Sequence, residues 1–182
     1  MLDSICKVVE GTELAQVVFS SEEFLAQFQG EKQTLMEYAV RYAACRKTPL
    51  GGFFETPQGI YVVGWNGPSH YYPHELECRR PADAPSGTLF ERCTTEHVEE
   101  RAVGAAARHG ITTDGSTFYL SRWMPCFGCA QKLAASGIVK FVSSDISYQK
   151  NSPYRFEDAL LLFGALKIEI VEDPSIAPRL AK

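Results

Sequence analysis

The chain has 182 residues, of which 45% are hydrophobic and 22% are charged, a balance that excludes wholesale disorder and predicts one compact domain. The formal net charge of −4 argues against a protein that binds long nucleic acid, but it is compatible with binding of a small phosphorylated ligand. No segment approaches the roughly 18 consecutive apolar residues of a transmembrane helix, so we expect no membrane association. The first residues lack a secretory signal, and the six cysteines therefore predict a reducing compartment, with the cytoplasm as the default location.

Residues 1–30 are predicted to form an N-terminal extension that packs on the main domain or on a partner subunit. Ser20 and Glu23 have the spacing of a capping box, which predicts a short helix carrying Phe24, Leu25 and Phe28. Residues 31–182 are predicted to form the main domain.

The sequence of the main domain predicts alternating helices and strands. Apolar residues at helical spacing indicate a first helix over 35–44, a hairpin follows over 51–63, and a polar stretch over 68–95 is too long for a routine connection. Further helices are predicted over 97–108, from 125 to 137 and over 155–163, and further strands over 118–120, 139–142 and 167–171. The alternation predicts an α/β fold, a three-layer α/β/α sandwich with a mixed five-stranded sheet whose last two strands are parallel.

Two short motifs have the spacing of a metal site. Cys126 and Cys129, in Pro-Cys-Phe-Gly-Cys, lie three residues apart at a predicted helix start, where free N–H groups and the helix dipole favour thiolates. His97, in His-Val-Glu, begins another predicted helix and offers a third ligand. Three protein ligands leave one zinc position open, which is typical of a catalytic site. The alternative is a closed structural zinc site with Cys93 as the fourth ligand.

Glu99 is the candidate catalytic residue. A carboxylate beside a zinc site can take a proton from water and return it to a leaving nitrogen. H-x-E…P-C-x-x-C is the pattern of zinc nucleobase deaminases, and all five fixed residues are present here.

The chain resembles the zinc-dependent cytidine and deoxycytidylate deaminase superfamily, and within it the deoxycytidylate (dCMP) deaminase branch. Outside the zinc motifs, the resemblance lies in Met36-Glu37-Tyr38-Ala39, Gly64-Trp65-Asn66-Gly67, Tyr72-Pro73-His74 and Ser144-Asp145. It implies a cytidine deaminase-like fold, one catalytic Zn²⁺ held by His97, Cys126 and Cys129, proton transfer by Glu99, and a homo-oligomer.

The resemblance also implies substrate contacts. Asn66 would contact the sugar or the base, although an Asn-Gly pair also stabilises turns. Tyr148 and Lys150 would contact a phosphate, and the alternative is that Tyr148 packs and Lys150 is solvated. Arg122 and Trp123 lie beside the metal motif in a segment one residue longer than is usual in relatives, and Arg101 stands where many relatives have Asn.

A second, structural zinc is a separate question. Cys45, His74, Cys78 and Cys93 resemble positions near an additional metal in some dCMP deaminases. The alternative, which we expect, is that Cys45 is a small core residue and the other three are loop residues.

The function predicted from the sequence is zinc-dependent hydrolytic deamination of a pyrimidine nucleotide, with dCMP first, giving dUMP and ammonia. One alternative is a deaminase of another nucleobase or nucleoside, of the cytidine, cytosine, guanine or adenosine type. Another is an inactive, zinc-stabilised nucleotide-binding module, against which the presence of Glu99 argues.

Overall fold

The secondary structure is that of a computed structural model, which describes residues 18–45, 47–68, 80–81, 83–85, 88–89 and 92–179. The strands are β1 (Val18–Ser20), β2 (Gly51–Glu55), β3 (Ile60–Trp65), β4 (Gly67–Pro68), β5 (Thr95–Glu96), β6 (Thr117–Leu120), β7 (Lys140–Ser143) and β8 (Glu169–Glu172). The helices are α1 (Ser21–Phe28), α2 (Lys32–Arg41), α3 (Val98–Arg108), α4 (Phe127–Ala135) and α5 (Phe156–Ala165), followed by a 3-10 turn at Pro174–Ile176.

Within the described part of the chain, the main sheet has six strands, in the order β1-β3-β2-β6-β7-β8. The pairs from β1 to β6 are antiparallel, whereas β6, β7 and β8 run parallel, so the predicted parallel end of the sheet is confirmed. The prediction of five strands is wrong by one, because Val18–Ser20 pairs with β3 and adds a strand beyond the predicted hairpin. Three residues are too few for a period-two pattern to reveal.

Helices cover both faces of this sheet, as predicted. On one face, α3, α4 and α5 pack on a core that includes Phe54, Phe118 and Phe141. On the other face, α1 and α2 pack on Phe53 and Tyr119. Neighbouring residues of one strand thus serve opposite cores, as the alternation of side chains along a strand requires.

The segment around residue 20 packs on the main sheet. The predicted capping box is confirmed: the Ser20 side chain accepts from Glu23 N, and Ser20 N donates to the Glu23 carboxylate at 2.8 Å. Phe19, Phe24 and Phe28 are buried in the core under α2. Residues 1–17 lie outside the described part of the chain, and the predicted contact of residues 1–30 with a partner subunit stays a prediction.

Two glycines let α3 approach the sheet. A Cβ at Gly64 of β3 would lie 2.6 Å from Val98 O, and a Cβ at Gly52 of β2 would lie 2.9 Å from Val98 Cγ1. The first turn of α3 therefore lies directly on the backbone of the sheet, and any larger residue at these two positions would displace it. Among the described helices, none is long and apolar enough to cross a membrane.

Candidate metal centre

Two helix starts bring the three predicted metal ligands together. His97 is the N-cap of α3 and Cys126 is the N-cap of α4, with Cys129 one turn further along α4. His97 Nδ1 lies 3.6 Å from Cys126 Sγ and 3.4 Å from Cys129 Sγ. Zn–S bonds of about 2.3 Å and Zn–N bonds of about 2.0–2.1 Å give a tetrahedron whose S···N edge is about 3.6 Å. The three side chains therefore fit one tetrahedral zinc ion.

The two thiols and the His97 ring carry different pKa shifts. The hydrogen bond from Cys129 lowers the pKa of Cys126 to about 4, and His97 acts in the same direction. The bond to Cys126 and burial raise the pKa of Cys129, so this sulfur keeps its proton. The interaction with Cys126 raises the pKa of His97 to about 9. Because zinc binds thiolates and neutral imidazole, metal binding at this site would release these protons.

Glu99 lies next to the three ligands on the first turn of α3. Its side chain is only 4% exposed. Burial raises the pKa of its carboxyl to about 6, although the neighbouring charge of His97 acts in the opposite direction. A carboxyl group that is buried beside a metal site and poised near neutral pH can accept and return a proton.

A second carboxylate, which the sequence interpretation missed, connects the two ligand-bearing helices. Glu100 accepts from His97 N at 2.9 Å and forms an ion pair with Lys132 of α4. Burial alone would raise the pKa of Glu100, but the bonds from Lys132 and His97 outweigh it and lower the pKa. The spacing from His97 to Glu100 is that of a capping box, which is a signal the sequence did contain.

A small two-stranded sheet places Asn66 beside the metal ligands. Gly67 of β4 pairs with Glu96 of β5, so Asn66, which precedes Gly67, lies opposite His97, which follows Glu96. The Asn66 amide accepts from Leu50 N at 2.9 Å and donates to Thr48 O at 2.7 Å. The Asn66 side chain thus connects the end of β3 to the segment that precedes β2 and not to an Asn-Gly turn, and its contact with a substrate stays a prediction.

The remaining predicted substrate contacts lie on two loops that follow β6 and β7. Trp123 has a left-handed backbone with φ 70°, and its backbone N–H donates to Asp145 O. The Arg122 guanidinium lies 4.5 Å from the centroid of the Trp123 ring. Tyr148 is half-buried against Phe156, with ring centroids 6.0 Å apart. Lys150 is exposed. Carboxyl ends of neighbouring parallel strands meet at one edge of a sheet, so both loops lie at the edge where α4 begins.

His97, Cys126 and Cys129 form the one candidate metal cluster among the residues that the structure describes. Of the positions considered for a second zinc, Cys45 and Cys93 are half-buried free thiols. His74 and Cys78 lie outside the described residues. The expectation of a single zinc therefore stays a prediction.

The chain is similar to deoxycytidylate deaminases of phages. The deoxycytidylate deaminase of Enterobacteria phage T2 is 42% identical over 80 residues, which cover 44% of this chain and 39% of that protein. The deoxycytidylate deaminase of Mycobacterium phage D29 is 26% identical over 110 residues, which cover 57% of this chain and 84% of that protein. This chain thus aligns with less than half of the phage T2 protein.

A solved structure shares the fold. The dCMP deaminase of cyanophage S-TIM5, in complex with dCMP and dUMP, has a TM-score of 0.62 at 18% identity, covering 81% of this chain and 97% of that one. Residues 29–144, well over half of the chain, match the family described as the cytidine and deoxycytidylate deaminase zinc-binding region, and they contain His97, Glu99, Cys126 and Cys129. With its ligand set, its buried glutamate and its fold in agreement, the chain belongs to the cytidine and deoxycytidylate deaminase zinc-binding family.

Proposed function

We propose that this protein is a zinc-dependent hydrolase that deaminates dCMP to dUMP with release of ammonia. The observation that carries the proposal is the placement of Glu99. It is a buried carboxyl group on the same helical turn as His97, with a pKa raised to about 6. A purely structural zinc site has no use for such a group.

Each residue of the candidate site would have its own role in the deamination. His97, Cys126 and Cys129 would hold the zinc, whose Lewis acidity lowers the pKa of a water molecule at the open position. Glu99 would accept one proton from that water and give it to ring nitrogen N3 as the C4–O bond forms. It would then carry the second proton, from the added hydroxyl group, to the amino nitrogen as the C4–N bond breaks. Water and the aminopyrimidine are thereby converted to the pyrimidinone and ammonia. Glu100 and Lys132 would fix the two ligand-bearing helices relative to each other.

The nucleotide would lie between the loops around the zinc site. Asn66, beside His97, would contact the sugar or the base. Trp123 would line the base side of the pocket, and Arg122 would offer a charge near its mouth. Tyr148 and Lys150 would bind the phosphate. Two charge-assisted contacts of about 1.5–3 kcal/mol each favour a monophosphate over a nucleoside by roughly 10²–10⁴-fold.

Ammonia release over a substrate panel tests this proposal. The panel contains dCMP, deoxycytidine, CMP, cytidine, cytosine, guanine and adenosine, and zinc content is measured on the same sample. We expect kcat/KM for dCMP to exceed that for deoxycytidine by at least about a hundredfold, in line with two phosphate contacts. Equal rates on nucleotide and nucleoside would contradict dCMP as the substrate while leaving deamination intact. Zinc without turnover on any compound would indicate an inactive binding module.

The proposal includes a cytoplasmic homo-oligomer. Cys45 and Cys93 are free thiols outside the candidate metal site, which is consistent with a reducing compartment. Sedimentation analysis of the zinc-loaded protein measures the oligomeric state, and a monomer at micromolar concentration would contradict this part of the proposal.

A further inference from the structure

Arg101 is a charged side chain buried inside the wall of the candidate site. It lies on α3 one helical turn after His97, with Arg101 N donating to His97 O at 3.1 Å. Only 3% of the residue is exposed. Burial lowers the pKa of its guanidinium, and the negative charge of Glu96 acts in the opposite direction. Burial of a charge lowers stability unless hydrogen bonds and other charges compensate for it. The contacts of the guanidinium therefore indicate the role of this side chain.

The guanidinium of Arg101 contacts the short sheet formed by β4 and β5. Its Nη1 donates to Pro68 O at 2.7 Å, and its Cζ lies 5.3 Å from the centroid of the Trp65 ring. A Cβ on Gly67 would lie 3.2 Å from the same Nη1, so the guanidinium lies directly on the backbone of β4. Arg101 thus joins α3 to the segment that directly follows β3.

Both strands of this short sheet lead into the candidate site. β4 follows Asn66, and β5 precedes His97, with Gly67 opposite Glu96. Residues 66–68 form one side of the site, the Asn66 wall. The bond from Arg101 to Pro68 O therefore fixes the distance between the Asn66 wall and the helix that carries His97 and Glu99. Because Asn66 is already engaged with the backbone of residues 48 and 50, a shift of β4 would move the whole wall together.

We propose that Arg101 is a positioning residue that holds the Asn66 wall at the distance required by the nucleotide, so that it governs substrate affinity and not the chemical step. This inference rests on the proposed function. Arg101→Met keeps most of the side-chain volume but leaves Pro68 O without this donor, so a loss of stability is expected whatever the role of Arg101. A merely structural role would lower Tm and leave the Kd for dCMP unchanged, whereas a positioning role would also raise that Kd.

Binding of dCMP to a zinc-loaded Glu99→Gln parent tests the inference without turnover. Arg101→Met and Arg101→Lys are introduced into this parent, and Arg108→Met, at an exposed arginine of the same helix, is the matched control. We expect Arg101→Met to lower Tm, to preserve the zinc content and to raise the Kd for dCMP by at least about tenfold, which is within the free energy of the lost bond to Pro68 O. Arg108→Met should leave the Kd unchanged. With Glu99 intact, Arg101→Met should raise KM by a similar factor while kcat stays near its original value.

The outcomes separate this inference from the proposed function. A Kd for Arg101→Met within about threefold of the parent value, less than one such bond, would overturn the inference alone. An equal fall in kcat and kcat/KM with an unchanged Kd would also overturn it. If Arg101→Met does not fold, Arg101→Lys decides the matter: weaker binding supports the inference, and binding equal to that of the parent overturns it. If the parent does not bind dCMP and the wild type does not deaminate it, the proposed function fails and the inference fails with it.

Discussion

Glu100→Ala should weaken zinc binding although Glu100 is not a ligand. The substitution removes the acceptor for His97 N, 2.9 Å away, and the partner of Lys132 on α4. Without them, the start of α3 loses one connection to its own first turn and another to the helix that carries Cys126 and Cys129. The three ligand atoms would then have to be ordered by the metal itself.

The magnitude follows from the two contacts of Glu100. The Lys132 side chain is 51% exposed, so the ion pair contributes only about 0.2–1 kcal/mol. A lost acceptor at a helix start costs about 0.5–2 kcal/mol. Together they predict a loss of about 1–3 kcal/mol in metal-free stability. Loss of a group that orients a metal ligand typically lowers affinity by about 10–100-fold, and we expect about tenfold here.

Competition with a chromophoric chelator at neutral pH measures the zinc affinity. Glu169→Ala is the matched control, because it removes a Glu–Lys ion pair of 3.2 Å between Glu169 and Lys140, on strands at the far end of the sheet. The control should keep the wild-type affinity. Zinc affinity of Glu100→Ala within about twofold of wild type, well short of the usual effect of a supporting residue, would refute the positioning argument.

Further substitutions test the fold. Glu55→Gln should destabilise the protein at pH 7 by about 1–3 kcal/mol, since Glu55 accepts from Lys32 at 2.6 Å and from Tyr119 at 2.7 Å. These bonds lower its pKa against the effect of burial, so in urea titrations the difference should persist above about pH 4.5 and shrink as the pH falls through the lowered pKa. Gly64→Ala should lower the free energy of unfolding by more than about 2 kcal/mol, because its Cβ would lie 2.6 Å from Val98 O. Gly104→Ala, which has open space around it, should raise the free energy of unfolding by about 0.5–1 kcal/mol. Equal urea midpoints for these two variants would contradict the close packing of α3. Lys167→Gly should raise Tm, because residue 167 has φ 58° after α5.

Local sequence patterns predicted the helices and the parallel end of the sheet. The helix predicted over 97–108 spans Val98–Arg108, and Gly110, with φ 65° and its N–H bonded to Ala107 O, lies two residues after its end. Caps, glycines and apolar periodicity act within a few residues, so they can be read directly. For the same reason, the spacing of Cys126 and Cys129 is enough to predict that the two thiols lie side by side.

Contacts between distant segments could not be predicted in this way. The pairing of Val18–Ser20 with β3 and the ion pair between Glu100 and Lys132 each join residues more than a helix apart, and neither leaves a periodic signal. The pairing of β4 with β5 involves only two residues on each side, yet it brings Asn66 to His97. Such features follow from the packing of the whole domain and not from any one segment.

In the proposed reaction, Glu99 carries protons beside the zinc ion without being one of its ligands. The most direct measurement is ammonia release from dCMP by Glu99→Gln, with zinc content determined on the same preparation. The account predicts full zinc occupancy and a rate reduced by at least about a hundredfold, the usual contribution of a general acid–base group. A variant that keeps its zinc and more than about a hundredth of the wild-type rate would contradict the account, because Glu99 would then not be the proton carrier.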